Sequence, residues 1–181
     1  MRFCPNCGHA VNMSIPAGDN RPRAVCPQCD HIDYDNPRVI TGTIPLFEDK
    51  VLLCRRNIEP RLGYWTLPAG FMENQETTRE GALRETLEES GSEAICLQAF
   101  SMISIPHINQ VHLFYLARLP RADFHPTPES SEVALFELAD IPWDELAFSS
   151  VSTTLKLFIE DHKHGHYGFH EDHILPIKSY L

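Results

Sequence analysis

The chain has 181 residues, enough for one modest catalytic domain with a small attachment, and 43% are hydrophobic, an ordinary share for a globular fold. Its formal net charge of −10 argues against the broad, sequence-independent grip on nucleic acid that relies on basic patches. No apolar run reaches the roughly 20 residues needed to span a bilayer. No basic-then-apolar leader opens the chain, so a cytoplasmic protein is expected.

The first element is built on cysteine. Cys4-Pro5-Asn6-Cys7 and Cys26-Pro27-Gln28-Cys29 are two C-x-x-C knuckles separated by 18 residues (8 to 25). That spacing suits a closed, tetrahedral four-thiolate zinc site. Disulfides or a redox dithiol are the rival reading, but they belong to a secreted chain or a thioredoxin-like helix start, and neither context is present. A segment this short lacks a hydrophobic core, and metal supplies the missing stability. Residues 1–36 are therefore expected to form a zinc ribbon, with Asp35-Asn36-Pro37 as the turn out of it. Cys54 and Cys96 lie in apolar stretches and read as small core residues.

Residues 37–148 read as the main domain. Val39 to Pro45 and Val51 to Arg55 are apolar runs on either side of Phe47-Glu48-Asp49-Lys50, which predicts a hairpin. Gly70, after Leu67-Pro68-Ala69, marks a loop where the backbone turns tightly or leaves room for a ligand. Thr77 with Glu80 makes a capping-box pattern, and Gly91 stands where a helix ends. Within that helix Glu85, Glu88 and Glu89 fall on one face, with Leu83 and Leu87 expected on the opposite, buried one. Like charges at this spacing repel, and a divalent cation with oxygen ligands reverses the penalty. Taken alone, the glutamates also fit a solvated acidic face. Ala94 to Pro106 and Gln110 to Ala117 read as a second strand pair, joined through Pro106, His107 and Asn109, and Val133 to Leu138 as a further strand.

Residues 149–181 read as a C-terminal helix, Ser152 to His162, followed by a histidine-rich stretch expected to be a solvated tail or a dimer contact, with a metal site the lesser alternative. Periodicity alone gives an α+β or α/β fold.

The spacing Gly-x5-Glu-x7-Arg-Glu-x-x-Glu-Glu-x-Gly, filled by Gly70, Glu76, Arg84, Glu85, Glu88, Glu89 and Gly91, closely resembles the signature of the Nudix hydrolases. The run Gly63 to Phe71 is similar to the one that leads into that signature. Two positions depart from it: Thr86 and Ser92 stand where the family usually has a bulky aliphatic residue, which touches helix packing more than chemistry. The resemblance covers roughly residues 38 to 145 and implies an α/β/α sandwich around a mixed sheet.

It also implies roles. Glu85, Glu88, Glu89 and the Gly70 carbonyl would hold catalytic Mg²⁺ or Mn²⁺, and Arg84 would hold a glutamate in place. Glu76 would be structural. An acid beyond the signature would be Glu129, with Glu132 as the alternative. Phe71, as an aromatic that could stack on a base, and His107 are candidate substrate-binding residues beside Gly70.

A ribbon followed by this domain resembles the NADH pyrophosphatases, but Ser101 to His107 lacks their proline- and tryptophan-rich array. The compact layout looks closer to plant chloroplast hydrolases of FAD and ADP-ribose and to bacterial relatives of the same layout. FAD or ADP-ribose is thus expected ahead of NADH, with a homodimer possible. Two other readings stay open: a hydrolase of capped RNA that uses Arg2, Arg21 and Arg23 of the ribbon, and a nucleotide sensor that does not cleave. The intact carboxylates and the absence of room for a winged helix ahead of residue 37 speak against the sensor.

Overall fold

The computed structural model describes residues 1–176 and divides into two compact units, Met1–Pro37 and Arg38–Leu181. The first holds three short antiparallel strands, β1 (Asn12–Ser14), β2 (Arg23–Val25) and β3 (Ile32–Asp33), with β2 in the middle.

The second is a mixed sheet. Its strands are β4 (Arg38–Phe47), β5 (Lys50–Arg56), β6 (Trp65–Thr66), β7 (Ala69–Phe71), β8 (Ile95–Ile105), β9 (Gln110–Arg118), β10 (Ser130–Glu137) and β11 (His170–His173). They lie in the order β10-β5-β4-β9-β8-β11, with β6 beside β5 and β7 beside β4. Both expected hairpins are present. β4 and β5 meet at Leu46↔Val51 and Phe47↔Lys50, and β8 runs antiparallel to β9. β4 and β9 pair in parallel from Arg38↔Gln110 to Leu46↔Arg118.

Helix α1 (Thr78–Ser90) has the signalled ends. The Thr77 hydroxyl accepts from Glu80 N at 3.2 Å, the Glu80 carboxylate accepts from Thr77 N at 2.8 Å, and Gly91 caps the C-terminus at φ 70°. Glycine takes that left-handed conformation without the clash a Cβ would bring. Helix α2 (Ser149–His164) supplies Val151, Leu155 and Phe158 to the main core, where they meet Ile44, Leu53, Trp65, Phe100, Phe114 and Leu116. Thr43, next to Ile44 on β4, instead bonds Thr86 of α1. Successive strand residues point to opposite faces, so the two helices cover opposite faces of the sheet, as the sandwich requires. Among the described residues no helix is long and apolar enough to cross a membrane.

Three expectations are corrected. Leu83 and Leu87 do not form the buried face of α1: Leu83 is only partly buried and Leu87 is 48% exposed, and both line a shallow surface hollow with Ile95 and Pro120. The buried face is Gly81, Ala82, Glu85, Thr86, Glu89 and Ser90. The helix docks through hydroxyls: Thr43 Oγ1 and Thr86 Oγ1 are 2.6 Å apart, and Thr86 donates to Ala82 O at 2.7 Å. Thr86 thus uses its own hydrogen on the backbone and accepts the Thr43 hydrogen, which replaces aliphatic packing with a directional contact. Second, Gly70 lies in strand β7, paired with Thr41, and not in a loop. Third, the histidine-rich stretch is not a solvated tail throughout. His170–His173 forms β11, parallel to Ser101–Ser104 of β8, and His170 Nε2 sits 2.8 Å from an Asp161 carboxylate oxygen.

The hydroxyl pair yields an asymmetric prediction. Thr86→Val strands a buried donor on Thr43 and should cost about 1–3 kcal/mol in urea unfolding, whereas adding Thr43→Val to it should recover part of that loss. Additive losses would show that the two hydroxyls are not coupled.

Candidate active site

The site is assembled where α1 crosses β7. Alignment of Glu85 and Glu89 one turn apart, on the face of α1 that meets the sheet, turns both carboxylates inward, and they are only 8% and 5% exposed. Glu85 lies against Gly70: a Cβ added there would overlap its carboxylate carbon and both oxygens. The glycine is therefore needed because another group approaches the backbone, and the room it leaves is taken by a carboxylate. Glu89 accepts a hydrogen bond from Ala69 N at 3.1 Å.

Arg84 holds the outer edge. Its Nε and Nη2 form a bidentate pair with Glu76 at 3.0 and 2.8 Å. Nη1 donates to Glu85 at 2.7 Å and to Glu88 at 2.9 Å, and Nη2 reaches Phe71 O at 3.1 Å. One guanidinium thus fixes three carboxylates and the backbone of β7, a use suited to its rigid fork. The Arg84 pair and the Glu73 amide hold the Glu76 carboxyl down at about 2, while its carboxylates keep Arg84 protonated.

The inner carboxylates are pushed the other way. Burial raises Glu85 despite Arg84, with Glu88 and Glu129 adding to the rise. Burial lifts Glu89 to about 8; the Ala69 amide opposes the shift, and the charges of Glu85 and Glu129 reinforce it. No Lys or Arg among the described residues forms an ion pair with Glu89. Two buried like charges one turn apart call for a cation, and a set of carboxylate oxygens with a nearby backbone carbonyl is a hard donor set that fits Mg²⁺ or Mn²⁺.

The remaining sequence-assigned residues divide. Glu129 is exposed, but its charge reaches both Glu85 and Glu89, whereas Glu132 is taken by Arg55 at 3.4 Å. Phe71 is 48% exposed beside Gly70, under the Arg38 guanidinium at 5.5 Å. His107 is exposed on the turn between β8 and β9, and among the described residues it touches none of the carboxylates. Arg56 and the Ala69 amide also border the site. No residue type or spacing signals the amide; a second arginine closing an apolar strand is the available sign for Arg56.

In the ribbon unit the knuckles repeat one geometry. Cys4 O accepts from Gly8 N at 2.9 Å, and Cys26 O from Asp30 N at 3.0 Å, with Gly8 and Asp30 both at positive φ. The four sulfurs lie within 4.8 Å of one another, with Cys4–Cys29 at 3.7 Å and Cys7–Cys26 at 3.4 Å. A tetrahedron of Zn–S bonds of about 2.3 Å has edges of about 3.8 Å, close to these separations.

A ribbon unit, a mixed sheet between two helices and an acidic helix face on a glycine strand define a class of protein. Family models place residues 2–35 in the Nudix N-terminal zinc-ribbon family and residues 36–156 in the NUDIX domain family. The chain belongs to the Nudix hydrolases.

Among individual relatives, it is similar to a NUDIX hydrolase of known structure from Nitrosomonas europaea, with 48% identity, 96% of this chain and 99% of that one covered, and a TM-score of 0.93. It is 32% identical to the NAD-capped RNA hydrolase NudC of Pseudomonas aeruginosa, covering 78% of this chain and 49% of that protein. It is 27% identical to an ADP-ribose pyrophosphatase of Methanocaldococcus jannaschii, covering 64% and 69%. The chain spans about half the length of the curated NudC relatives it matches.

The Glu89 shift has a definite sign. A carboxyl raised from 4.5 in the unfolded chain to about 8 in the fold favours folding fully below 4.5, and that contribution is lost as pH rises through 8. In protein dialysed free of Mg²⁺, Glu89→Gln should therefore raise Tm over wild type at about pH 8.5 and leave it near wild type at about pH 4.5. A variant less stable than wild type at both pH values contradicts this account of the buried carboxyl.

Proposed function

We propose that the chain hydrolyses the pyrophosphate bond of a nucleoside diphosphate linked to another moiety, with ADP-ribose or FAD as substrate, releasing AMP. The observation that carries this reading is the pair of inward carboxylates, Glu85 and Glu89, buried against a glycine strand, with no ion-pair partner for Glu89 among the described residues. Glu85, Glu88, Glu89 and the Gly70 carbonyl would hold the divalent cation, Mg²⁺ or Mn²⁺. When bound, it supplies charge that offsets the pyrophosphate and makes a water more acidic.

The chain's own groups do the rest. Arg84 keeps Glu85 and Glu88 at a fixed spacing and ties them to β7. Glu129 is the general base that takes the proton from the attacking water, preferred over Glu132 because the latter is paired with Arg55. Phe71 offers an open aromatic face for the base. His107 joins it from the adjoining turn, supported by the Asn109 carbonyl that accepts from Arg38 N at 2.9 Å, since Arg38 also covers the Phe71 ring. The four cysteines would hold a structural Zn²⁺.

ADP-ribose stands ahead of FAD because an ADP-ribose pyrophosphatase is among the similar proteins. A second reading, hydrolysis of NAD-capped RNA, is favoured by the names of the NudC relatives. Against it, Arg23 of the ribbon is engaged by Asp19 at 3.0 Å and by the Tyr34 ring, which leaves less basic surface for RNA.

Incubation of the full chain in Mg²⁺ with ADP-ribose, FAD, NADH and NAD-capped RNA, with product analysis, should show AMP from ADP-ribose or FAD. Glu85→Gln should lower kcat by about 100-fold or more with a near-wild-type Tm. Wild-type protein that binds these nucleotides and cleaves none is a sensor, and the enzymatic reading then fails. For the ribbon, elemental analysis should find about one zinc per chain, and Cys26→Ser should abolish it without removing the catalytic domain's own unfolding transition.

A further inference from the structure

The last four carbonyls of an α-helix have no donor within the helix and must find one elsewhere. At the end of α1, Gly91 N donates to Leu87 O at 2.8 Å, and the connection between β9 and β10 supplies two more donors. His125 N reaches Ser90 O at 3.0 Å, and the Thr127 hydroxyl reaches Glu89 O at 3.3 Å. The segment that completes the helix is thus the one that runs on to Glu129, two residues beyond Thr127.

A threonine hydroxyl has one hydrogen to give and two lone pairs. At Thr127 all three are in use. The hydrogen goes to Glu89 O, and the lone pairs accept from Glu129 N at 3.3 Å and Ser130 N at 3.2 Å. Thr127 N also donates to Ser130 O at 2.9 Å, and Ser130 N to Thr127 O at 3.2 Å, which closes residues 127–130 into a tight turn. Asn57, just beyond β5, holds the other side of that turn. Its N donates to Glu129 O at 2.8 Å and its Nδ2 to Pro128 O at 3.1 Å. The backbone of Glu129 is therefore pinned from two directions, once from β5 and once from the residue whose carboxylate is buried in the site. Among the described residues the Glu129 carboxylate itself forms no hydrogen bond or ion pair, so its reach is set by where this backbone stands.

We propose that Thr127 is a positioning residue, whose hydroxyl ties the backbone of Glu129 to that of Glu89 and so sets the distance from the proton-accepting carboxylate to the carboxylates on α1. This rests on the reading of Glu129 as the general base. A misplacement of about 1 Å in such a constellation costs on the order of 100-fold in rate, so a few hydrogen bonds here weigh more in kinetics than in stability. The rival explanation is that Thr127 only caps α1 and shapes a surface turn. That role lowers Tm, and any loss of rate it brings is the same whether or not residue 129 can take a proton.

The test is steady-state kinetics of the full chain in Mg²⁺, on whichever of ADP-ribose, FAD, NADH and NAD-capped RNA the wild type cleaves fastest, with Tm recorded for each variant. Thr127→Val, which keeps the shape and loses the hydroxyl, should lower kcat by about 10-fold or more with KM within about 2-fold of wild type. Thr127→Ser, which restores the three hydrogen bonds, should stay within about 3-fold of wild type. In a Glu129→Gln background, where no base is left to place, Thr127→Val should cost less than about 2-fold. Thr127→Ala replaces Thr127→Val in each comparison if the latter melts below the assay temperature. Wild-type kcat in Thr127→Val, an equal loss in both backgrounds, or Thr127→Ser as slow as Thr127→Val overturns this assignment and leaves the enzymatic reading standing. Wild-type kcat in Glu129→Gln overturns the base and its positioning residue together. If wild type cleaves none of the four, the enzymatic reading itself falls and takes this assignment with it.

Discussion

Everything at the candidate site depends on one unfavourable fact, that two carboxylates are taken out of water side by side. Glu85 and Glu89 are buried between α1 and β7, and neither fits a protein interior as an isolated charge. The surroundings are arranged to make this tolerable. Gly70 removes a side chain where Glu85 must lie, Ala69 lends an amide to Glu89, and Arg84 neutralises the outer edge. What stays uncompensated is the inner part of the site, and that residual negative potential is the property a cation-dependent hydrolase needs. Burial works against stability at these two residues.

The same constraint explains how α1 docks. A helix whose inward face carries two glutamates cannot be held by an aliphatic stripe on that face. The contact with β4 is made instead by Thr43 and Thr86, and the leucines that a simple amphipathic reading would bury point outward. The substitution of hydroxyl for aliphatic packing brings directionality: the helix is fixed in rotation by a hydrogen bond as well as by shape.

Much of this was legible in the sequence, and what was missed has physical causes. Caps announce themselves because orphan amides need a partner within three residues, so Thr77, Glu80 and Gly91 marked α1 closely. The two hairpins were visible because their strands are long apolar runs around short turns. The buried side of α1 was misjudged because the pattern counts leucines, and the decisive contacts come from Thr43, forty-three residues away. β7 and β11 escaped because a glycine-centred triplet and a histidine-rich tetrad carry no strand propensity; partners on β4 and β8 impose their conformation. Residue types and spacing pointed to Glu85, Glu88, Glu89 and Arg84, which the fold brings side by side, but the surroundings of Arg56 exist only in three dimensions.

The docking of β11 has a consequence for how the molecule behaves among its own copies. Without that segment β8 would present its Ser101–Ser104 stretch as an open row of amides and carbonyls, a template for another strand. β11 covers this row and offers in its place an edge of His170, Glu171, Asp172 and His173. Two adjacent acids on a border strand repel an identical border, so among the described residues the outermost strand is unsuited to pairing with itself. Among the described residues, the histidine-rich stretch thereby forms a charged selvage along this border of the mixed sheet.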